Sequence, residues 1–240
     1  MHNYNVNSEK IIEFLKNSSK TIFKYLNRGG GGGIFVFEAC SDGLLANGKQ
    51  ITTEEVLSIL NRKDISILCE FVEQGEFPGS LYPDTTNTIR IICAKRPEQE
   101  YAVVVDAVQR IGRKECIPVD NFSSGGLVSQ IDIKTGTLSE AVSGHGKDKM
   151  VWYTHHPDTG DVIKGKVIPG WEKLVKEIEK LTNKFPYLNF VAWDMLLTGD
   201  DSSNYCIIEG NASSSADLLQ MKEGKANGAL GEIYDGYGIK

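Results

Sequence analysis

No stretch of this chain approaches the roughly 20 consecutive apolar residues that a bilayer-spanning helix needs. Its start, Met1-His2-Asn3-Tyr4-Asn5, has no basic region leading into an apolar one. A membrane span and a secretory leader are therefore not expected, and the cytoplasm is the default location. Cysteine is sparse: Cys40, Cys69, Cys93, Cys116 and Cys206 are scattered in mostly apolar contexts, without a Cys-x-x-Cys pair. Neither zinc nor disulfides are indicated, and the thiols read as reduced packing residues. Basic charge is also short, with 26 Lys and Arg against 32 Asp and Glu, a net charge of -6. With a pI near 5.3, this is not a chain built to hold a nucleic-acid backbone. Any anionic ligand must be met by local cations.

Internal repeats are missing too, and the run Gly29 to Gly33 is the only low-complexity stretch. What is present describes a globular protein: 240 residues, 40% hydrophobic and 24% charged, enough for one or two cores.

The most informative pattern is Asp194 in Val191-Ala192-Trp193-Asp194-Met195-Leu196-Leu197, followed 15 residues later by Glu209 in Cys206-Ile207-Ile208-Glu209-Gly210-Asn211. The polar segment Thr198 to Asn204 between the two apolar runs reads as a turn joining neighbouring strands. Alternation along a strand puts Glu209 and Asn211 on one face. A carboxylate in such a setting is costly to bury unless a cation lies beside it. Two carboxylates and an amide oxygen, without His or Cys, suit Mg²⁺ better than Zn²⁺. The plainer alternative is a salt-bridged Asp194, with Glu209 and Asn211 as ordinary strand-end residues.

Ser8 to Ser18 predicts a helix capped by Ser8, with Ile11, Ile12, Phe14 and Leu15 on one side. Strands are expected at Thr21 to Tyr25 and Ile34 to Glu38, with the glycines between them as a hairpin tip. Thr52 and Glu55 stand at capping-box spacing before a second helix. Further strands are read at Ser66 to Phe71, Thr88 to Ala94, Tyr101 to Ile111 and Ser129 to Ile133. A long amphipathic helix spans Gly170 to Lys184, carrying Trp171, Leu174, Val175, Ile178 and Leu181 at 3- and 4-residue steps. The expected class is α+β, with a small lobe over residues 1–68 and a larger one over 69–240.

Lys24, ahead of the glycines, and the exposed amides of Gly30, Gly31, Gly32 and Gly33 could hold phosphates from two directions. The run does not follow Gly-x-x-x-x-Gly-Lys-Ser/Thr and does not open a helix, so it is no P-loop; a flexible linker is the alternative. Arg90 and Arg110 interrupt apolar strands and call for anionic partners. Asp106, on the same strand face, is one possible partner for Arg110, and Arg90 is the better choice for a phosphate or carboxylate ligand. The segment Val119 to Leu127 reads as an ordered loop without an assignable role. His155 and His156 point apart and are read as a polar loop rather than a metal site. Glu70, Phe71 and Glu73 follow a strand where backbone groups can read an adenine edge and a carboxylate can accept from ribose.

In order, Thr21-Ile22-Phe23-Lys24 with the glycine loop and Ile34 to Glu38, the Glu70 segment, Asn87-Thr88-Ile89-Arg90, Val119 to Gly126, His156-Pro157-Asp158-Thr159-Gly160, Ala192-Trp193-Asp194 and Ile208-Glu209-Gly210-Asn211 resemble the sugar-transfer associated branch of the ATP-grasp superfamily. The resemblance implies a two-lobed ATP-grasp fold of antiparallel sheets with ATP held between the lobes. It implies Lys24 and the glycine flap on the phosphates, Glu70, Phe71 and Glu73 at the adenine and ribose, Mg²⁺ on Asp194, Glu209 and Asn211, and Arg90 steadying an acyl phosphate. The implied activity is ATP- and Mg²⁺-dependent ligation of a carboxylate to an amine, in cell-surface polysaccharide modification or biosynthesis. Phosphorylation of a hydroxyl and non-catalytic nucleotide binding are the alternatives. The chain departs from the family pattern in three ways: Tyr25 stands where a proline often follows the lysine, Asn27-Arg28 precede an over-long glycine run, and fewer than 25 residues precede the lysine strand. The third departure leads to the expectation that substrate recognition comes from the larger lobe, an oligomeric neighbour or a partner protein.

Overall fold

The computed structural model describes residues 8–26, 33–60, 65–144, 150–200, 203–212, 214, 217–221 and 228–239. The chain divides into two units, Met1–Val72 and Glu73–Lys240. Both are α+β units built on an antiparallel sheet.

The first unit contains α1 (Ser8–Asn17), β1 (Lys20–Tyr25), β2 (Ile34–Cys40), β3 (Gly43–Ala46), β4 (Lys49–Ile51), α2 (Thr53–Leu60) and β5 (Ser66–Glu70). Its sheet runs β4-β3-β2-β1-β5, and β1 and β2 pair antiparallel from Lys20↔Glu38 to Lys24↔Ile34. Alternation along β1 sends Phe23 and Tyr25 into the core, where they meet Ile12 and Leu15 of α1 and Val56 of α2. The Phe23 and Tyr25 rings meet edge to face at 5.1 Å, and the Tyr25 hydroxyl donates to Ile59 O at 2.6 Å. The tyrosine in place of proline thus ties β1 to α2. The capping box before α2 forms as expected: Thr52 N donates to Glu55 Oε2 at 2.9 Å and Glu55 N to Thr52 Oγ1 at 3.2 Å. Ser8 is the first residue of α1 rather than its cap.

The second unit contains α3 (Glu76–Gly79), β6 (Ile89–Ala94), β7 (Val103–Ile111), β8 (Leu127–Ile131), β9 (Leu138–Ser143), β10 (Trp152–Tyr153), α4 (Trp171–Thr182), β11 (Phe190–Leu197), β12 (Tyr205–Asn211) and α5 (Ala229–Gly236). Its seven strands run β10-β9-β8-β7-β6-β11-β12. β8 begins two residues earlier than the pattern suggested, because Leu127 and Val128 pair with Ile111 and Arg110. Helix α4 covers one face, setting Trp171, Leu174 and Ile178 against Ile89, Ile91, Cys93, Ala107 and Met195. Leu219, Leu230 and Ile233 cover part of the other face, against Ile92, Ala94, Val105 and Ala192. Two covered faces explain why the central strands read as nearly continuous apolar runs. The Thr182 hydroxyl at the end of α4 accepts from Trp193 Nε1 at 2.9 Å and donates to Ile178 O at 2.8 Å, pinning the helix to β11.

Ile178 is fully buried on the sheet-facing side of α4. Ile178→Ala should therefore lower unfolding free energy by about 2–5 kcal/mol, measured by chemical denaturation, whereas Lys176→Ala on the exposed side should leave the denaturation midpoint unchanged.

Candidate functional site

Arg90, Asp194 and Glu209 stand in one row across three adjacent strands: Asp194 is the register partner of Arg90 on β6 and of Glu209 on β12. Pairing between β11 and β12 shifts just beyond Asp194, so that Asp194 opposes Glu209 while Met195 opposes Ile207. This bulge leaves Ile208 without a register partner and locally bends the edge strand that carries Glu209 and Asn211. Asn211 lies one alternation further along, opposite Ala192, and its Nδ2 is 3.3 Å from Glu209 Oε1. The glycine between these two residues has a steric cause, since a Cβ on Gly210 would come within 2.6 Å of the Trp193 ring.

Asp194 is 1% exposed. Arg90 meets it with two hydrogen bonds, Nε to Oδ1 at 2.6 Å and Nη2 to Oδ2 at 2.7 Å. Arg110 approaches the same Oδ2 through Nη1 at 3.3 Å. Burial alone would raise the Asp194 carboxyl; the hydrogen bonds from Arg90 and the charges of Arg110 and Arg90 overcome this and hold it below its ordinary 3.8. Two carboxylates placed opposite each other on paired strands repel unless a cation lies close by.

Arg110 is held independently of this row. Its Nε donates to Thr88 Oγ1 at 2.8 Å, and Nη2 reaches Asp120 Oδ1 at 3.1 Å. Asp120 Oδ2 in turn accepts from Thr88 N and Thr88 Oγ1, both at 2.6 Å. Burial would lower the Arg110 guanidinium, but the neighbouring Asp120, Asp194 and Glu209 charges raise it above its ordinary value. The suggested Arg110–Asp106 pair does not form. Residues i and i+4 on one strand are about 13 Å apart, and Asp106 instead accepts from Ala107 N at 2.8 Å and from the Gln130 side chain.

Behind Asp120 lies a polar brace. Buried Asn87 accepts from Gly112 N at 2.9 Å, and a ring nitrogen of buried His156 lies 2.8 Å from Gly112 O. The His156 ring stacks on Tyr82 at 4.8 Å. Asp158 accepts from Lys114 N at 2.8 Å and pairs with Arg113 at 3.4 Å. The His156-Pro157-Asp158 segment thus supports the connection from β7 to Asp120, and exposed His155 bonds to Thr154.

As a site for a divalent cation, the row offers hard oxygens: Glu209 is exposed, Asn211 is half-buried, and Asp194 lies behind them. Among the described residues no group of three or more His, Cys, Asp or Glu forms a metal cage. The donor set fits a hard ion held by few protein ligands, with Asp194 shared with the arginines.

The sequence profile described as Sugar-transfer associated ATP-grasp matches residues 2–232. The chain belongs to this family. Among solved structures it is similar to a Chryseobacterium gregarium RiPP-associated ATP-grasp ligase in complex with ADP and a leader and core peptide. That match has 14% identity and a TM-score of 0.39, covering 97% of this chain and 50% of the other. It is also similar to the biotin carboxylase domain of a thermophilic 2-oxoglutarate carboxylase bound to ADP without magnesium, at 10% identity and a TM-score of 0.33, covering 92% of this chain and 37% of the other. The chain therefore spans half the length of the first structure and less of the second. No curated protein matches it.

The remaining residues singled out by the ATP-grasp resemblance lie as follows. Lys24 is half-buried on β1, beside Ile34 and Ile67 and on the sheet face away from Phe23 and Tyr25. Gly33 has a left-handed φ of 84°, while Gly30, Gly31 and Gly32 lie outside the described residues. Glu70 is exposed at the end of β5, and Phe71 lies 4.1 Å beneath the Lys20 ammonium. Glu73 belongs to the second unit. Thr88 and Asp120, the pair that fixes Arg110, carry no assigned role at the level of sequence. Both lie inside the Asn87-Thr88-Ile89-Arg90 and Val119-Asp120 motifs, but spacing gives no sign that the two motifs touch.

Asp120→Ala leaves the Arg110 guanidinium without its nearest carboxylate and should destabilise the fold by about 3 kcal/mol or more, read by denaturant unfolding. The depressed Asp194 carboxyl stabilises the fold fully above pH 3.8 and loses that contribution as pH falls through its lower folded value. Asp194→Asn should accordingly flatten the acid limb of a stability–pH curve below pH 3.8; an unchanged limb would mean that Asp194 does not carry it.

Proposed function

We propose that this chain is an ATP- and Mg²⁺-dependent ligase joining a carboxylate to an amine, acting in the cytoplasm on a cell-surface saccharide or its precursor. One observation carries this proposal: two guanidiniums, Arg90 and Arg110, converge with Asp194 and Glu209 at one place on the sheet of an ATP-grasp family member. Such a cluster joins fixed positive charge, suited to a transferring phosphoryl group, to oxygen donors suited to a hard cation.

The carboxylate substrate attacks the γ-phosphorus of ATP, ADP leaves, and an acyl phosphate forms. The amine then attacks the acyl carbon, inorganic phosphate leaves with the C–O electron pair, and the amine proton passes to solvent or a base. Arg90 and Arg110 stabilise the negative charge that moves among the phosphoryl oxygens, and both are assigned as catalytic residues. Asp120 and Thr88 are positioning residues that hold Arg110 for that task. Glu209 and Asn211, together with Asp194, would hold Mg²⁺, which supplies neutralisation of charge on the β- and γ-phosphates. Lys24 and the glycines Gly30 to Gly33 are proposed as phosphate contacts, and Glu70, Phe71 and Glu73 as adenine and ribose contacts. The family's association with sugar transfer directs the substrate search to saccharide-linked carboxylates and amines.

Hydroxylamine provides the test, because it stands in for the amine and traps an acyl phosphate as a stable hydroxamate. With the correct carboxylate, the protein should release phosphate and form hydroxamate in equal amounts, and Glu209→Gln should slow both by roughly 10²-fold or more. A phosphorylated hydroxyl with no free phosphate would contradict ligation in favour of a kinase. Tight ATP binding without turnover across a panel of saccharide-linked carboxylates would contradict catalysis altogether.

A further inference from the structure

The two arginines are held in different ways. Arg110 is anchored by Thr88 and Asp120 and only grazes Asp194 at 3.3 Å. Among the described residues, the hydrogen bonds of the Arg90 side chain all go to Asp194, which takes them through both carboxylate oxygens. Asp194 is also the one member of the oxygen row sealed from solvent, with 2% of its side chain exposed, whereas the Arg90 side chain remains 13% exposed. Glu209, its register partner on the other side, is exposed. Asp194 therefore stands between a guanidinium on β6 and an oxygen pair on β12, and a cation arriving at Glu209 would draw on the same carboxylate that occupies Arg90.

We propose that Asp194 is a shared counterion for which Arg90 and a divalent cation compete, so that cation binding at Glu209 and Asn211 releases Arg90 to bind phosphate. Arg110 does not take part in the exchange, because Asp120 and Thr88 hold it whether or not Asp194 is engaged. The device couples two ligands through one side chain. Metal raises the affinity for a phosphate group, and by linkage a phosphate group raises the affinity for metal by the same factor. It also makes a metal-free nucleotide a poor ligand, since Arg90 is then neutralised within the protein. The inference rests on the nucleotide-binding function proposed above and adds to it the order of dependence between the metal and the anion.

The test measures binding without turnover, using ADP by calorimetry and Mn²⁺ alone by electron paramagnetic resonance. In the wild-type chain, saturating Mg²⁺ should tighten ADP binding by about tenfold or more. Asp194→Asn should bind ADP without metal about tenfold tighter than wild type and should lose most of the Mg²⁺ dependence. Arg90→Gln, which frees Asp194, should bind Mn²⁺ severalfold tighter than wild type in the absence of nucleotide. A purely structural role for the pair would weaken both ligands in both variants, and that result would overturn the exchange. Asp194→Asn also removes a buried charge; if it does not fold, the Arg90→Gln measurement decides, and unchanged or weaker Mn²⁺ binding overturns the proposal. Wild-type ADP binding in Mg²⁺ with either of these negative results refutes the exchange alone, whereas no ADP binding by wild type under any condition refutes the nucleotide-binding function as well.

Discussion

A carboxylate sealed inside a seven-stranded sheet must be answered by positive charge, and most of the second unit's polar architecture follows from that requirement at Asp194. Arg90 answers it from the neighbouring strand through two short hydrogen bonds, and Arg110 from one strand further away. Each guanidinium placed there then needs its own surroundings. Arg110 receives them from Asp120, whose other oxygen is held by the Thr88 amide and hydroxyl. Asp120 in turn depends on a connection braced by Asn87, His156 and Asp158. A chain of polar contacts thus runs from Asp194 on β11 back to the His-Pro-Asp segment, so that a motif which resembles a metal site in sequence is structural support in the fold.

The same contacts set which end of the row faces solvent. Its inner members are satisfied by one another, while Glu209 and Asn211 stand on an edge strand bent by a bulge, with Glu209 open to solvent. Charge is fixed at the back of the row and available at its front. Arg110 is fixed by Thr88 and Asp120, so under the proposed exchange only the Arg90–Asp194 contact changes when a metal-bearing ligand arrives.

Much of this was legible in the sequence where local pattern and burial act together. The Asp194 and Glu209 strands, the turn between them, the shared face of Glu209 and Asn211, the helix starting near Trp171 and the Thr52–Glu55 cap all follow from periodicities of 2 and 3.6 or from cap spacing. The plainer alternative for Asp194 was also right in one respect, because the residue is salt-bridged. Features set by contacts distant in sequence were not legible. The Thr88–Asp120 bond spans 32 residues and the Arg90–Asp194 pair 104, and no local pattern announces either. Asp106 misled because same-face alternation says nothing about separation along the strand. The β3 and β4 hairpin, β10 and α5 are short or glycine-containing, and β9 (Leu-Ser-Glu-Ala-Val-Ser) lacks a regular apolar alternation, so pairing partners decide them.

The most direct test of the central claim is a crystal structure of this chain grown with Mg²⁺ and a non-hydrolysable ATP analogue. The account predicts a metal about 2.0–2.1 Å from oxygens of Glu209 and Asn211, and terminal phosphate oxygens within hydrogen-bond reach of Arg90 and Arg110. A nucleotide bound away from this row, with Arg90 still closed on Asp194 and no metal at Glu209, would contradict it.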